Sequence, residues 1–260
     1  MNKPVLLEQQ GHIGYIRLNR PKDLNAINDS MLALLGEILE TIERHPRDIR
    51  VVIIEGEGRA FCAGADLKER RLLVESQIRG SVMKIREVLN ALERLPQPTI
   101  AAINGYAFGG GLELALACDF RYSIRAAKMG LTEVSLGIIP GAGGTQRLPR
   151  LIGAAKAKEL ILTARKITTE QAYALGLLNG VAEDLQQLKE ISERLAAEIL
   201  VNAPLAVYQA KYAIDKGLNS DLQTGMDVEF KAYEAIIPTK DRLEALEAFR
   251  DKRTPRFNGE

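Results

Sequence analysis

Two glutamates, Glu113 and Glu133, stand among apolar and small residues. Glu113 lies between Leu112 and Leu114. Glu133 lies between Thr132 and Val134, with Leu136 close behind. If the fold brings the two carboxylates together, each opposes the other's ionisation in a dry cleft. One can then act as a general acid while the other acts as a general base. Each also has a plain structural reading. An acid in the first turn of a helix is favoured by the helix dipole, and Glu133 can equally be a cap or a surface acid. The glycines Gly109-Gly-Gly111 sit just before Glu113, in Asn104-Gly-Tyr-Ala-Phe-Gly-Gly-Gly-Leu-Glu113. They join an apolar run, Thr99-Ile-Ala-Ala-Ile103, to a helical pattern, Leu112-Glu-Leu-Ala-Leu-Ala-Cys118. Glycine permits unusual dihedrals and close approach of a ligand. A helix start leaves unpaired N–H groups and partial positive charge. The junction is therefore either an anion or oxyanion site or only a tight turn.

Other chemistries find less support. The two histidines, His12 and His45, have no partner pattern for a nucleophilic triad and read as surface residues. The two cysteines, Cys62 and Cys118, form no CxxC and no metal spacing, and read as buried thiols. No cluster has zinc or iron spacing, so no metal site is expected. Gly141-Ala-Gly-Gly144 superficially resembles a dinucleotide loop, but its spacing is not G-x-G-x-x-G.

The elements that must position these residues follow from hydrophobic periodicity. Residues 4–10 and 12–19 read as a hairpin turning at Gly11-His12. A helix is expected over 30–44, with Met31, Leu34, Leu35, Ile38, Leu39 and Ile42 on one face and cap residues in Asn28-Asp-Ser30. Arg50–Glu55 reads as a buried strand, Ala60–Asp66 as a small, turn-rich loop, and 79–94 as a helix stopped by Pro96 and Pro98. Strands are expected at 120–124 and 128–131, then a glycine-rich loop over 137–144. Helices follow at 145–151, 153–163 and 168–175. A turn and short strand come next at 176–182, and the chain from about 185 reads as helical. Alternating strands and helices followed by helices alone indicate an α/β core with a helical C-terminal region. The 260-residue chain is ordinary in composition, 46% hydrophobic and 27% charged, and carries a net charge of +1. That charge gives no general case for a nucleic-acid partner. Met1-Asn-Lys-Pro-Val-Leu-Leu-Glu8 has no signal-peptide core, and no apolar run approaches membrane-spanning length. A cytoplasmic protein is expected.

Four stretches carry a resemblance that spans essentially the whole chain. They are Asn19-Arg-Pro-Lys-Asp-Leu-Asn-Ala26, Ala60-Phe-Cys-Ala-Gly-Ala-Asp66, Asn104–Glu113, and Met129–Leu148 with its Pro-Gly-Ala-Gly-Gly-Thr-Gln-Arg run. In this order they resemble the crotonase, or enoyl-CoA hydratase/isomerase, superfamily. The resemblance implies a crotonase-like spiral of ββα units over residues 1–195. It implies a helical region over 196–260 that serves oligomerisation, as trimers or paired trimers, and covers the site. Glu113 and Glu133 match the two catalytic glutamates of the hydratases. The backbone N–H groups of Ala65 and Gly110 match the oxyanion hole for a CoA thioester, and Gly141 matches a glycine that helps hold the reacting water. Lys22, Leu24, Ala63, Gly64, Ala65, Asp66 and Leu67 match segments that hold coenzyme A. Coenzyme A enters as part of the acyl-CoA substrate, so no separate cofactor is implied. The implied activity is that of a hydro-lyase, reversible addition of water to a 2-enoyl-CoA. Cys62–Arg70 and the tail Ile237–Arg253 also resemble the 3-methylglutaconyl-CoA hydratases of leucine breakdown. The resemblance admits an isomerase as well, or a non-catalytic member that binds acyl-CoA or RNA. RNA binding is disfavoured because the first helix carries Glu37, Glu40 and Glu43 and no lysine.

Overall fold

The structure, a computed structural model, describes residues 3–260. Met1 and Asn2, which open the segment read above as lacking a signal-peptide core, lie outside the described residues. The chain begins with an antiparallel hairpin, β1 (Val5–Gln10) and β2 (Ile13–Leu18), in which Val5 pairs with Leu18. Helix α1 (Asp29–Arg44) follows, capped by Asn28, whose Oδ1 accepts from the Met31 N–H at 3.0 Å. Its buried face includes Met31, Leu32, Leu35, Ile38, Leu39 and Ile42, with Leu34 half-buried against the same core.

The chain then alternates between two sheets. β3 (Val51–Gly56) joins the first sheet and β4 (Ala60–Cys62) the second; α2 (Leu67–Arg70) and α3 (Glu75–Glu93) complete the unit. β5 (Thr99–Ile103), β6 (Tyr106–Phe108) and α4 (Gly110–Leu116) repeat the pattern. β7 (Phe120–Ile124), β8 (Lys128–Gly130) and α5 (Gly144–Ile152) repeat it again. After α6 (Ala154–Leu162) come β9 (Ile167–Thr168), α7 (Thr169–Ala174) and β10 (Gly180–Ala182). The larger sheet runs β1-β2-β3-β5-β7-β10, parallel beyond its first pair, and the smaller runs β4-β6-β8-β9. Val51–Ile54 and Thr99–Ile103 are buried on both faces, as central parallel strands must be. One apolar core fills the space among the sheets and α1, α3 and α4. A second lies on the other face of the larger sheet, where Leu188 and Ala196 of α8 (Leu185–Leu200) meet Tyr15, Val51, Ile53 and Ile100. The chain ends in α9 (Pro204–Gly217), α10 (Leu222–Glu234) and α11 (Lys240–Arg250). Among the described residues no helix is long and apolar enough to cross a membrane.

Three local readings are corrected. Ala60–Asp66 is not all loop, because Ala60–Cys62 pairs as β4 with β6. A three-residue strand is too short to show a period in sequence. The charged patch after Asp66 contains the single turn α2, because the Asp66 carboxylate caps it by accepting from the Lys68 N–H at 3.0 Å. Helix α3 starts at Glu75 rather than 79, where Gln77 Oε1 accepts from the Val74 N–H at 3.1 Å.

Candidate active site

The loop after β2 and the loop after β4 are tied to each other. The Ala63 N–H donates to Leu24 O at 3.0 Å, the Ile27 N–H to Gly64 O at 2.8 Å, and the Asp66 N–H to Ile27 O at 2.8 Å. Buried Asn25 fastens the first loop, its Nδ2 donating to Glu57 O at 2.9 Å and Ala60 O at 2.8 Å. Arg20 joins the two loops, donating to Asp23 at 3.1 Å, to Asp66 at 2.9 Å and to Ala26 O. Although burial opposes it, Arg20 and the α2 amides hold the Asp66 carboxyl below its ordinary range.

This zipper alternates, so the Ala65 N–H is left without a backbone acceptor among the described residues. Gly110 is the first residue of α4, and its N–H is likewise free of an intrahelical partner. The two amides are neighbours. A side chain on Gly64 would lie 3.4 Å from Gly110 N and 2.8 Å from Phe108 O, and one on Gly110 would lie 3.7 Å from Ala65 N. Gly64 also has φ 96°, which only glycine adopts without strain. The expected pair of oxyanion donors is thus brought together at one point.

The two glutamates converge on the same place from different directions. Glu113, 3% exposed, sits in the first turn of α4. Its Oε1 accepts from the Ala142 N–H and the Gly144 N–H, both at 2.8 Å. Those amides belong to the Gly-Ala-Gly-Gly loop that opens α5. Burial pushes the Glu113 carboxyl up from its ordinary pKa, against the pull of these two amides and of Arg147 and Arg70. Arg147 locks the loop in turn, donating to Ala142 O at 2.7 Å while its other nitrogens bind Glu93 at 2.7 and 2.8 Å and Asn90 at 2.9 Å.

Glu133, 9% exposed, begins a 3₁₀ turn over Glu133–Leu136. Its carboxylate lies against Gly109, whose added Cβ would stand 3.1 Å from Oε1. Its Oε2 is buried with no hydrogen-bond partner. Burial first, and then the charge of Glu113, raise its pKa from 4.5 to about 7. One acid is thus anchored by two amides, while the other has one oxygen buried without a partner and is the more easily protonated.

A cleft of about 290 Å³ runs alongside, between the start of α1, α2 and α3. Ala65, Asp66, Glu69, Arg70 and Lys84 are among its lining residues. Leu24, Ala63 and Gly64 lie in the zipped loops, close in sequence to Ala65 or hydrogen-bonded across to that stretch. Lys22 and Leu67 are exposed, Lys22 on the 3₁₀ turn Pro21–Asp23. Gly141 is exposed beside α3, where Val82 Cγ1 stands 2.8 Å from the position of an added Cβ. His12 and His45 are exposed, and both cysteines are free and buried.

The family model described as enoyl-CoA hydratase/isomerase matches residues 8–260. The chain belongs to the enoyl-CoA hydratase/isomerase family. Its relatives in that family include YngF of Bacillus subtilis (strain 168), whose name places it in the same class; it is 54% identical over 249 residues, 95% of each chain. The mitochondrial methylglutaconyl-CoA hydratase of Homo sapiens is 46% identical over 259 residues, 98% of this chain and 76% of that protein. The 1.8 Å crystal structure of enoyl-CoA hydratase from Bacillus anthracis is 49% identical with a TM-score of 0.95, covering 99% of this chain and 100% of that one. The fold is therefore the one expected from the four sequence stretches. Glu113 and Glu133 stand out in the sequence and Ala65 and Gly110 come from the resemblance, but the residues that hold them are marked by neither. The Ala142 and Gly144 amides, Arg147 and the Arg20–Asn25 clamp act through tertiary contacts that no residue pattern displays. The one signal in the sequence was a glycine-rich run opening a helix, which marks unpaired N–H groups.

Proposed function

We propose that the chain is a 2-enoyl-CoA hydratase, adding water reversibly across the 2,3-double bond of a CoA thioester. The observation that supports this reading is the unlike treatment of the two acids beside one pair of free amides. Glu113, with one oxygen fixed by two N–H groups, is suited to stay ionised and take a proton from water, which the Gly141 N–H helps to orient. Glu133, with its raised pKa, is suited to carry the proton delivered to C2. Oxygen bonds to C3 as the π electrons move towards the thioester oxygen. The Ala65 and Gly110 amides stabilise the charge that develops there. One such donor is typically worth about 3–4 kcal/mol, a factor of ~10² to 10³ in rate. The proton on Glu133 then passes to C2. Dehydration runs the same steps backwards, with the two acids exchanging roles.

In this proposal Lys22, Leu24, Ala63, Gly64, Asp66 and Leu67 border the coenzyme A portion, and no further cofactor enters. The exposed apolar residues on and beside α9–α11, among them Leu218, Leu222, Phe230 and Phe249, support self-association as trimers or paired trimers. A second reading, hydration of 3-methylglutaconyl-CoA, is favoured by the 46% identity to the human methylglutaconyl-CoA hydratase. The test is loss of enoyl-thioester absorbance on crotonyl-CoA and 3-methylglutaconyl-CoA in parallel. Hydration of either supports the proposal, and the ratio of kcat/KM chooses between the substrates. Conversion of a 3-enoyl to a 2-enoyl thioester with no hydration of either would replace it with an isomerase.

A further inference from the structure

Arg70 ends the single turn of α2 and lines the cleft with Ala65. The other charged side chains of that wall are already engaged. Asp66 binds Arg20 at 2.9 Å, Lys84 binds Asp29 at 3.2 Å, and Glu69 accepts from the Asp29 N–H at 3.0 Å. Arg70 is half-buried, and among the described residues its guanidinium has no ion pair and no side-chain hydrogen bond. Its charge is felt by both Glu113 and Glu133. It shares the cleft with Ala65, which carries one of the two free amides. A guanidinium presents five N–H donors in a rigid fork that matches a carboxylate. A plain hydrocarbon acyl chain offers that fork no acceptor, and leaving a partly buried charge unpaired is costly.

We propose that Arg70 binds a second carboxylate on the acyl chain, so that the site selects CoA thioesters of dicarboxylic acids. This rests on the hydratase reading, and its test is chosen to stand apart from turnover. Glutaryl-CoA and butyryl-CoA have no double bond to hydrate and share every phosphate. They differ in the acyl carboxylate. The intact protein is titrated with each by calorimetry. Glutaryl-CoA binds tighter by about tenfold or more, as a charge-assisted bidentate contact requires. Arg70→Met removes that preference and leaves butyryl-CoA within about threefold of its original affinity, because the remaining contacts are unchanged. Arg70→Lys keeps part of the preference. Equal affinities in the unaltered protein would overturn the proposal. So would a parallel loss of both ligands in Arg70→Met, which would mean that Arg70 holds a coenzyme A phosphate. Hydration of crotonyl-CoA by the same unaltered sample reports separately on the hydratase reading.

Discussion

Glu113 and Glu133 have the same side chain and opposite circumstances. Oε1 of Glu113 is held by two amides, whereas Oε2 of Glu133 is buried without a partner. That contrast predicts a pH dependence. In the proposed mechanism hydration needs Glu133 protonated, so its rate is expected to fall as pH rises through about 7, and dehydration, which needs Glu133 ionised, to rise over the same range. Initial rates measured in both directions from pH 5.5 to 9 check this, and parallel profiles would contradict it. The same group bears on stability. Its pKa is higher in the folded chain than the ordinary 4.5, so stability declines as pH rises from about 4.5 to 7 and stays lower above that. Above pH 7, Glu133→Gln removes a buried, unpartnered charge and stabilises the fold by roughly 1–3 kcal/mol. Thermal denaturation of the variant at pH 8 and at pH 5 checks the sign, since the gain shrinks towards pH 5.

At the scale of elements, the site depends on how α3, α5 and the glycine-rich loop lock together. Arg147, whose side chain is 10% exposed, ties α5 to Glu93 and Asn90 of α3 and to the carbonyl of Ala142. The same Ala142 offers its N–H to Glu113. Arg147→Met is therefore expected to lower kcat about tenfold or more while KM changes little, because misplacement of a catalytic group costs rate rather than binding. Arg147→Lys does not rescue it, since an ammonium lacks the planar fork that reaches all three partners. Steady-state kinetics on crotonyl-CoA decide the point; a rise in KM alone would contradict it. The long elements were legible in sequence because burial imposes a period: α1 and the strands β3 and β5 lie within a few residues of where periodicity puts them, and α8–α11 fill the stretch from about 185 that reads as helical. Of the smaller sheet only β8 was legible, as the strand expected over 128–131. The strands β4, β6 and β9 have two or three residues each, and β6 is part of the glycine junction itself. Glu113 and Glu133 stood out as acids in apolar surroundings, but their meeting depends on β6 and β8 being paired, which neither local sequence announces.

The whole molecule leaves much apolar surface on its C-terminal helices. Phe249 is 86% exposed, and Leu218, Leu222 and Phe230 are also largely uncovered. Such surface is unusual for a chain that stays alone in water. Sedimentation at micromolar concentration is expected to show three or six copies, and Phe230→Asp with Phe249→Asp to lower that number. A monomer at every concentration would contradict this. The same sites are far in sequence from Glu113 and Glu133, so hydration measured alongside tells whether assembly and catalysis are linked.

The central claim is that Glu113 and Glu133 act as one unit on a bound enoyl thioester. The most direct measurement is turnover of crotonyl-CoA by Glu113→Gln, Glu133→Gln and the double variant, with acyl-CoA affinity measured on the same samples. Each single variant is predicted to lose at least about a hundredfold in kcat with near-normal affinity, and the double variant to be little worse than the poorer single one. Normal turnover in either single variant, or losses that simply multiply in the double, would contradict the account.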